Sequence, residues 1–133
     1  MSQTADPSPI RNVSDTALWV AIYRAMESER KDAIFNDPYA RRLGGSRGES
    51  IVRSMPSSEY SAWPIIVRTA VMDQIVKRCV RAGAKTVLNL AAGLDARPFR
   101  LDLPKELRWI HADMPPMIEY FRERMAGEAP RCQ

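Results

Sequence analysis

Only two cysteines and one histidine occur among the 133 residues, which excludes a disulfide-stapled scaffold and leaves a zinc site without enough ligands. Cys79 falls on the apolar side of an expected helix and reads as a small buried hydrophobe. Cys132 stands next to the final residue, where chains are usually loose. No stretch reaches the roughly 18 consecutive apolar residues that a membrane span requires. Met1 to Ile10 is polar, holds two prolines and has no apolar signal core. A reducing cytoplasm with no membrane partner is the resulting expectation. Glycine is scarce at six residues, and the tight glycine pattern of a dinucleotide-dependent dehydrogenase is missing. No run of Lys and Arg is interleaved with aromatics, as single-strand binders need. The formal charge of +4 and pI of about 9.4 come from basic residues spread along the chain, with Arg41, Arg42 and Arg47 the nearest approach to a cluster. Diffuse charge of that kind describes a solvated surface, and nucleic acid is not an expected partner.

What is present is the composition of a globular protein, with 45% hydrophobic and 27% charged residues. Residues 1–13 read as a disordered leader. Ser14 can cap a helix dense in apolar residues (Ala17, Leu18, Trp19, Val20, Ile22, Tyr23, Met26), which implies cover on most sides. That helix runs out in the charged stretch from Glu27 to Asp32. A short second helix follows, capped by Asp37, with Pro38 at its first position and Gly44 and Gly45 at its end. Residues 44–58, rich in glycine and serine, read as a loop or lid. A long helix is expected from about Trp63, with Pro64 in its first turn and a stripe of Ile65, Met72, Ile75, Val76, Cys79 and Val80. Gly83 stops it. Residues 14–82 thus form an N-terminal helical region.

Thr86 to Leu90 is a short apolar run of the kind that buried parallel strands show. Arg108 to Asp113 is a second strand, closed by Pro115 and Pro116, and Met117 to Met125 is a helix. The order of helix, strand, turn, short helix, strand and helix opens a doubly wound α/β fold. A parallel sheet usually has about five strands covered on both faces. Two strands from residue 83 to 133 therefore imply a truncated protein or a sheet completed by another chain, with truncation preferred.

The chemistry concentrates in Leu88-Asn89-Leu90-Ala91-Ala92-Gly93-Leu94-Asp95-Ala96-Arg97, followed twenty residues after Gly93 by Asp113. A strand ends in small residues that let backbone approach a ligand, and Gly93 can take a positive φ. The next strand ends in a carboxylate able to accept hydrogen bonds from two ribose hydroxyls. Spacing alone leaves two readings level: a nucleotide-type pocket, or an ordinary strand–turn–helix with a solvated aspartate.

The run from Leu90 to Arg97, with Phe99-Arg100-Leu101 and Ala112-Asp113-Met114-Pro115, resembles the cofactor-binding core of the leucine carboxyl methyltransferase-like enzymes. Upstream, Val13-Ser14-Asp15-Thr16-Ala17, Tyr23-Arg24-Ala25-Met26-Glu27-Ser28, Phe35-Asn36-Asp37-Pro38-Tyr39-Ala40 and Val67-Arg68-Thr69-Ala70-Val71-Met72-Asp73 are similar to that family too, in the family's order. The resemblance implies a Rossmann-like class I methyltransferase fold, present here only in its N-terminal half, and S-adenosylmethionine as cofactor. By the same resemblance Arg68 pairs with the methionine carboxylate of the cofactor, since a guanidinium fork matches a carboxylate. Ala91 lies against the cofactor through its backbone, Asp113 holds the ribose hydroxyls, and Arg24 adds positive charge nearby. Asp95 and Arg97 belong to the signature, and either shape the loop or touch the ligand. Ala91 stands where the family often has glycine, so its methyl group narrows the approach. Read without the resemblance, Arg68 is a side chain snorkelling to solvent, His111 is structural or superficial, and the Met and Trp residues are core or pocket lining.

Methyl transfer from a sulfonium needs alignment and exclusion of water more than acid–base chemistry. A carboxylate acceptor is ionised at neutral pH and requires no base, and a small-molecule hydroxyl is the other acceptor class. The isolated chain is expected to turn over weakly or not at all. The rival readings are a non-catalytic nucleotide-binding fragment and an interaction module that self-associates through its open sheet edge.

Overall fold

The computed structural model describes residues 13–55 and 58–133. The expected leader therefore lies almost entirely outside the described residues, as does the side chain of the expected cap, Ser14. The chain forms helices α1 (Val13–Ser28), α2 (Ala40–Ser54) and α3 (Ser58–Arg81), strand β1 (Thr86–Leu90), the short helix α4 (Arg97–Arg100), strand β2 (Arg108–Ala112) and helix α5 (Pro115–Arg124). β1 and β2 pair in parallel, with Thr86 opposite Arg108 and Leu90 opposite Ala112. This is a mixed α/β arrangement with a two-stranded parallel sheet, compatible with an incomplete methyltransferase fold.

α1 is covered as its apolar density implied: Leu18, Ala21, Ile22, Tyr23 and Ala25 are buried, although Met26 is exposed. One core joins Leu18, Ala21 and Leu43 to Leu94, Ala96, Met117, Phe121 and Met125. It therefore runs across the boundary expected near residue 82.

The stretch read as a loop is helix. α2 bends at Gly45, which has φ 59 and ψ −173, and then continues to Ser54. Gly45 breaks the helical run where the sequence suggested an end, but a second helical segment follows at once, and Gly44 and Gly48 let the two segments press against α1. A Cβ on Gly44 would stand 2.5 Å from Ile22 Cδ1, and one on Gly48 would stand 2.8 Å from the Leu18 carbonyl oxygen. On either side of the kink at Gly45, both glycines serve close packing against α1.

α3 starts at Ser58, so Pro64 lies inside it and not in its first turn. Its buried stripe is Ala62, Ile65, Ile66, Thr69 and Asp73, while Met72 and Cys79 are exposed. Ile65 is buried as the periodicity implied, and Val76 and Val80 pack against another core cluster, but Thr69 and Asp73 were missed because they are polar. Trp63 is exposed as well, against its expected role in core or pocket. Gly83, at φ 104, follows the helix in the left-handed region, as its place in the sequence suggested.

Two further expectations are corrected. β1 is not a buried strand: Leu88 and Leu90 are 59% and 68% exposed, because among the described residues nothing covers that face of the sheet. Pro115 and Pro116 do not merely close β2; they begin α5, where a missing N–H costs nothing. Nor is the C-terminus loose. Cys132 is buried against Leu101, Leu103 and Leu107. The Trp109 N–H donates to the Gln133 carbonyl at 2.8 Å, and the Gln133 N–H donates to the Leu107 carbonyl at 3.0 Å. No helix among the described residues is long and apolar enough to cross a membrane.

Candidate functional site

Parallel pairing brings the C-terminal ends of β1 and β2 side by side, and the turn after β1 folds back over the end of β2. The Ala92 N–H donates to the Ala112 carbonyl at 3.3 Å. Asp113 Oδ2 accepts from the Gly93 N–H at 2.7 Å, and Oδ1 accepts from the Met114 N–H at 2.7 Å. Each carboxylate oxygen thus keeps lone pairs for a ligand. Within the turn, Gly93 has φ 54, as its small size allowed, but Ala91 also lies in the left-handed region at φ 51. A non-glycine residue there is uncommon and strained.

The turn, α1 and α3 enclose a cleft of about 520 Å³, within the range of small-molecule sites. All six site residues named from the sequence line it: Arg24, Arg68, Ala91, Gly93, Asp95 and Asp113. A comparable space of about 600 Å³ opens elsewhere, between the end of α3 and residues 102–104, but its lining of Lys77, Val80, Arg81, Asp102, Leu103 and Pro104 holds none of those residues.

The charges around the first cleft are sorted by partner. Arg24 is buried; its Nε donates to Asp37 Oδ2 at 3.0 Å and its Nη2 to the Leu94 carbonyl at 2.6 Å. Asp37 also receives the Tyr39 N–H at 3.1 Å, and its own N–H donates to Ser28 Oγ at 2.8 Å. The segments Tyr23–Ser28 and Phe35–Ala40, separate in the sequence, are thereby one knot behind the cleft. Arg100 grips Asp73 through both terminal nitrogens, at 2.8 and 2.7 Å. Arg97 donates from Nε to Asp73 at 2.7 Å, from Nη1 to Asp95 at 2.6 Å and from Nη2 to the Thr69 carbonyl at 3.3 Å.

Three arginines and the carboxylates of Asp37, Asp73 and Asp95 therefore balance one another under the floor. Arg68 is the exception: it is exposed at the cleft and makes no ion pair among the described residues. Cationic charge without an internal partner is what an anionic ligand group needs.

Asp95 is committed to the turn. Besides Arg97 Nη1 it accepts the Arg97 N–H at 2.9 Å and Asn89 Nδ2 at 2.8 Å. Burial works to raise its carboxyl, but the Arg97 charge and N–H, together with Arg24, outweigh burial and hold it below the ordinary carboxylate value. His111 is half-buried in β2, with its ring 5.2 Å from that of Phe121 and its Nε2 without a partner among the described residues. Burial lowers its pKa against the opposing pull of Asp95 and Asp113.

Sequence reasoning missed the anchors Asp37, Asp73, Thr69 and Arg100 as parts of the site. A signal existed, since each stands inside one of the short motifs. An aspartate on an apolar helix such as Asp73 implies a buried cationic partner, but nothing local identifies which one. Among the described residues no group of His, Cys, Asp and Glu is placed to hold a metal.

A sequence model of the leucine carboxyl methyltransferase family matches residues 17–133. A protein of Mycobacterium tuberculosis strain H37Rv, described as a candidate S-adenosyl-L-methionine-dependent methyltransferase, is 34% identical over 91% of this chain and 45% of its own length. Similarly described proteins of Streptomyces coelicolor and Saccharopolyspora erythraea are each 34% identical, covering 79% and 92% of this chain and 40% and 45% of their own. The chain spans less than half the length of the curated relatives that it matches.

Proposed function

The chain belongs to the leucine carboxyl methyltransferase family, and from that premise we propose that its cleft holds S-adenosylmethionine for methyl transfer to an oxygen acceptor. The observation that carries the reading is the placement of Arg68 and Asp113 on the same 520 Å³ cleft, with the Ala91–Gly93 backbone beside them. The donor set fits such a ligand. Arg68 has no carboxylate partner among the described residues and can take one from the amino-acid end. Asp113 has lone pairs left to accept from two ribose hydroxyls. The small residues of the turn keep bulk away from the ligand's middle.

Once bound, the cofactor supplies an activated methyl group on a sulfonium. The protein's part is to bind and orient. Arg68 would fix the amino-acid end, Asp113 the ribose, and the partnered floor of Arg24, Arg97 and Arg100 would shape the pocket. The acceptor would be a carboxylate or hydroxyl of a small molecule or a carboxylate-bearing partner. A carboxylate is ionised at neutral pH, so its methylation requires no base. Residues 14–82 would act as a helical cap, and residues 83–133 as the start of a Rossmann-like cofactor domain in a cytoplasmic enzyme that does not act on nucleic acid.

Calorimetric titration with S-adenosylmethionine and, separately, with NAD tests this reading. Binding of the first alone is expected, weakened at least tenfold in Arg68→Ala and in Asp113→Ala, since charge-assisted hydrogen bonds contribute about 1.5–3 kcal/mol. Equal binding of both ligands, or variants that bind like the parent, would refute it. Turnover with this chain alone is expected to be weak. The exposed Leu88, Leu90 and Ile110 favour a second reading, a face or edge through which copies associate. Sedimentation that shows a monomer at every concentration would dismiss it.

A further inference from the structure

Resting on that reading, we propose that Arg97 is the positioning residue that sets the separation between the two ends of the cofactor site. Arg68 stands on α3, whereas Gly93 and Asp113 belong to the ends of the two strands. The apolar contact between these parts lies further along α3, where Val76 and Val80 pack into one cluster with Val87 of β1 and Trp109 of β2; beside Arg68 the facing side chains are polar. The helix presents Thr69 and Asp73 towards the turn, and both are buried.

The Arg97 guanidinium fills that gap. Its Nη2 donates to the carbonyl of Thr69, the residue next to Arg68. Its Nε donates to Asp73, one helical turn further on. Its Nη1 reaches Asp95, whose other contacts are Asn89 in β1 and the Arg97 N–H. One planar group thus ties the helix beside Arg68 to the turn beside Gly93. Gly93 in turn is fastened to Asp113. Because every guanidinium nitrogen of Arg97 already has a partner, it acts through Arg68 and the turn, not as a primary ligand for a carboxylate. A planar fork holds three fixed directions at once, and an ammonium on a flexible stem does not. Arg100 also grips Asp73, with its side chain only 3% exposed.

The clamp is tested with two ligands that share the nucleoside end. S-adenosylhomocysteine carries the amino-acid end that Arg68 would bind, and 5′-methylthioadenosine lacks it. In Arg97→Gln, affinity for S-adenosylhomocysteine should fall at least tenfold while that for methylthioadenosine changes less than twofold. Arg97→Lys keeps the charge and should show the same selective loss. Adding Arg68→Ala to Arg97→Gln should cost little more than either change alone, because both remove one end of the same interaction. Equal loss of both ligands, or additive losses, would overturn the proposal.

Hydrogen exchange without ligand separates its failure from that of the cofactor reading. In Arg97→Gln and Arg97→Lys, exchange across residues 89–97 should accelerate while α1 keeps its protection. If that happens in a chain that binds neither ligand, the clamp stands and the cofactor reading falls. Unchanged exchange would overturn the clamp.

Discussion

Ala91→Gly is expected to stabilise the protein, against the usual direction for a glycine substitution. At φ 51, Ala91 is in the left-handed region, the one non-glycine residue with positive φ among those described. For an L-residue with a Cβ that conformation costs roughly 1–2 kcal/mol. Glycine removes that cost, but its freer unfolded chain returns about 0.5–1 kcal/mol to the unfolded state. Ala91 is exposed, so deleting its methyl forfeits little buried surface. The balance is a gain of up to about 1.5 kcal/mol, centred near ~0.75 kcal/mol, and the central value raises Tm by roughly 2–5 °C for a domain of this size. Urea unfolding followed by circular dichroism would show a higher midpoint at unchanged slope. Ala92→Gly is the control. Ala92 is buried and lies outside the positive-φ region, so the same change there should destabilise by about 1 kcal/mol. If Ala91→Gly lowers the midpoint, or if the two substitutions behave alike, left-handed strain is not what distinguishes this turn. A gain in stability with unchanged or tighter binding of S-adenosylmethionine would also show that the methyl group is no part of the contact.

Two further outcomes follow from packing and burial. Gly48→Ala puts a methyl 2.8 Å from the Leu18 carbonyl oxygen, a backbone atom that cannot turn aside. Separation of α1 from α2 should cost about 1–3 kcal/mol, read as a lower urea midpoint; a neutral change would mean that the helices are not held at that distance. His111 has its pKa lowered from 6.5 by burial, so the unfolded chain takes up a proton before the folded one does. Its contribution is therefore complete above pH 6.5 and is lost as pH falls through the lowered folded value. Stability measured between pH 7 and pH 5 should decline in the parent and decline less in His111→Gln; parallel curves would contradict this.

The sequence by itself determined the strands, the residues of the turn and the family, because these depend on local features. β1 was legible from a short, largely apolar run, and its observed bounds are Thr86–Leu90. The small residues from Ala91 to Gly93 and the aspartate at the next strand end marked a candidate pocket, which spacing alone left level with an ordinary strand–turn–helix and which the family resemblance favoured. Parallel pairing sets the two strand ends next to each other and so brings Ala91, Gly93, Asp95 and Asp113 to one cleft, while Arg24 and Arg68 reach it from α1 and α3. Only the tertiary structure decided what lies beneath it. Gly44 read as a helix end and Gly48 as part of a loop, since glycine has the same local signature whether it turns a chain or admits a neighbouring helix. Asp73 looked like an interruption of an apolar stripe, and its partners Arg97 and Arg100 are more than twenty residues away. Leu88 and Leu90 carry the pattern of buried strand residues, yet exposure depends on which elements cover the sheet. Periodicity reports which faces of an element differ. The choice of a partner for a buried charge, or of a cover for an apolar face, depends on residues distant in sequence and is fixed only when the chain packs.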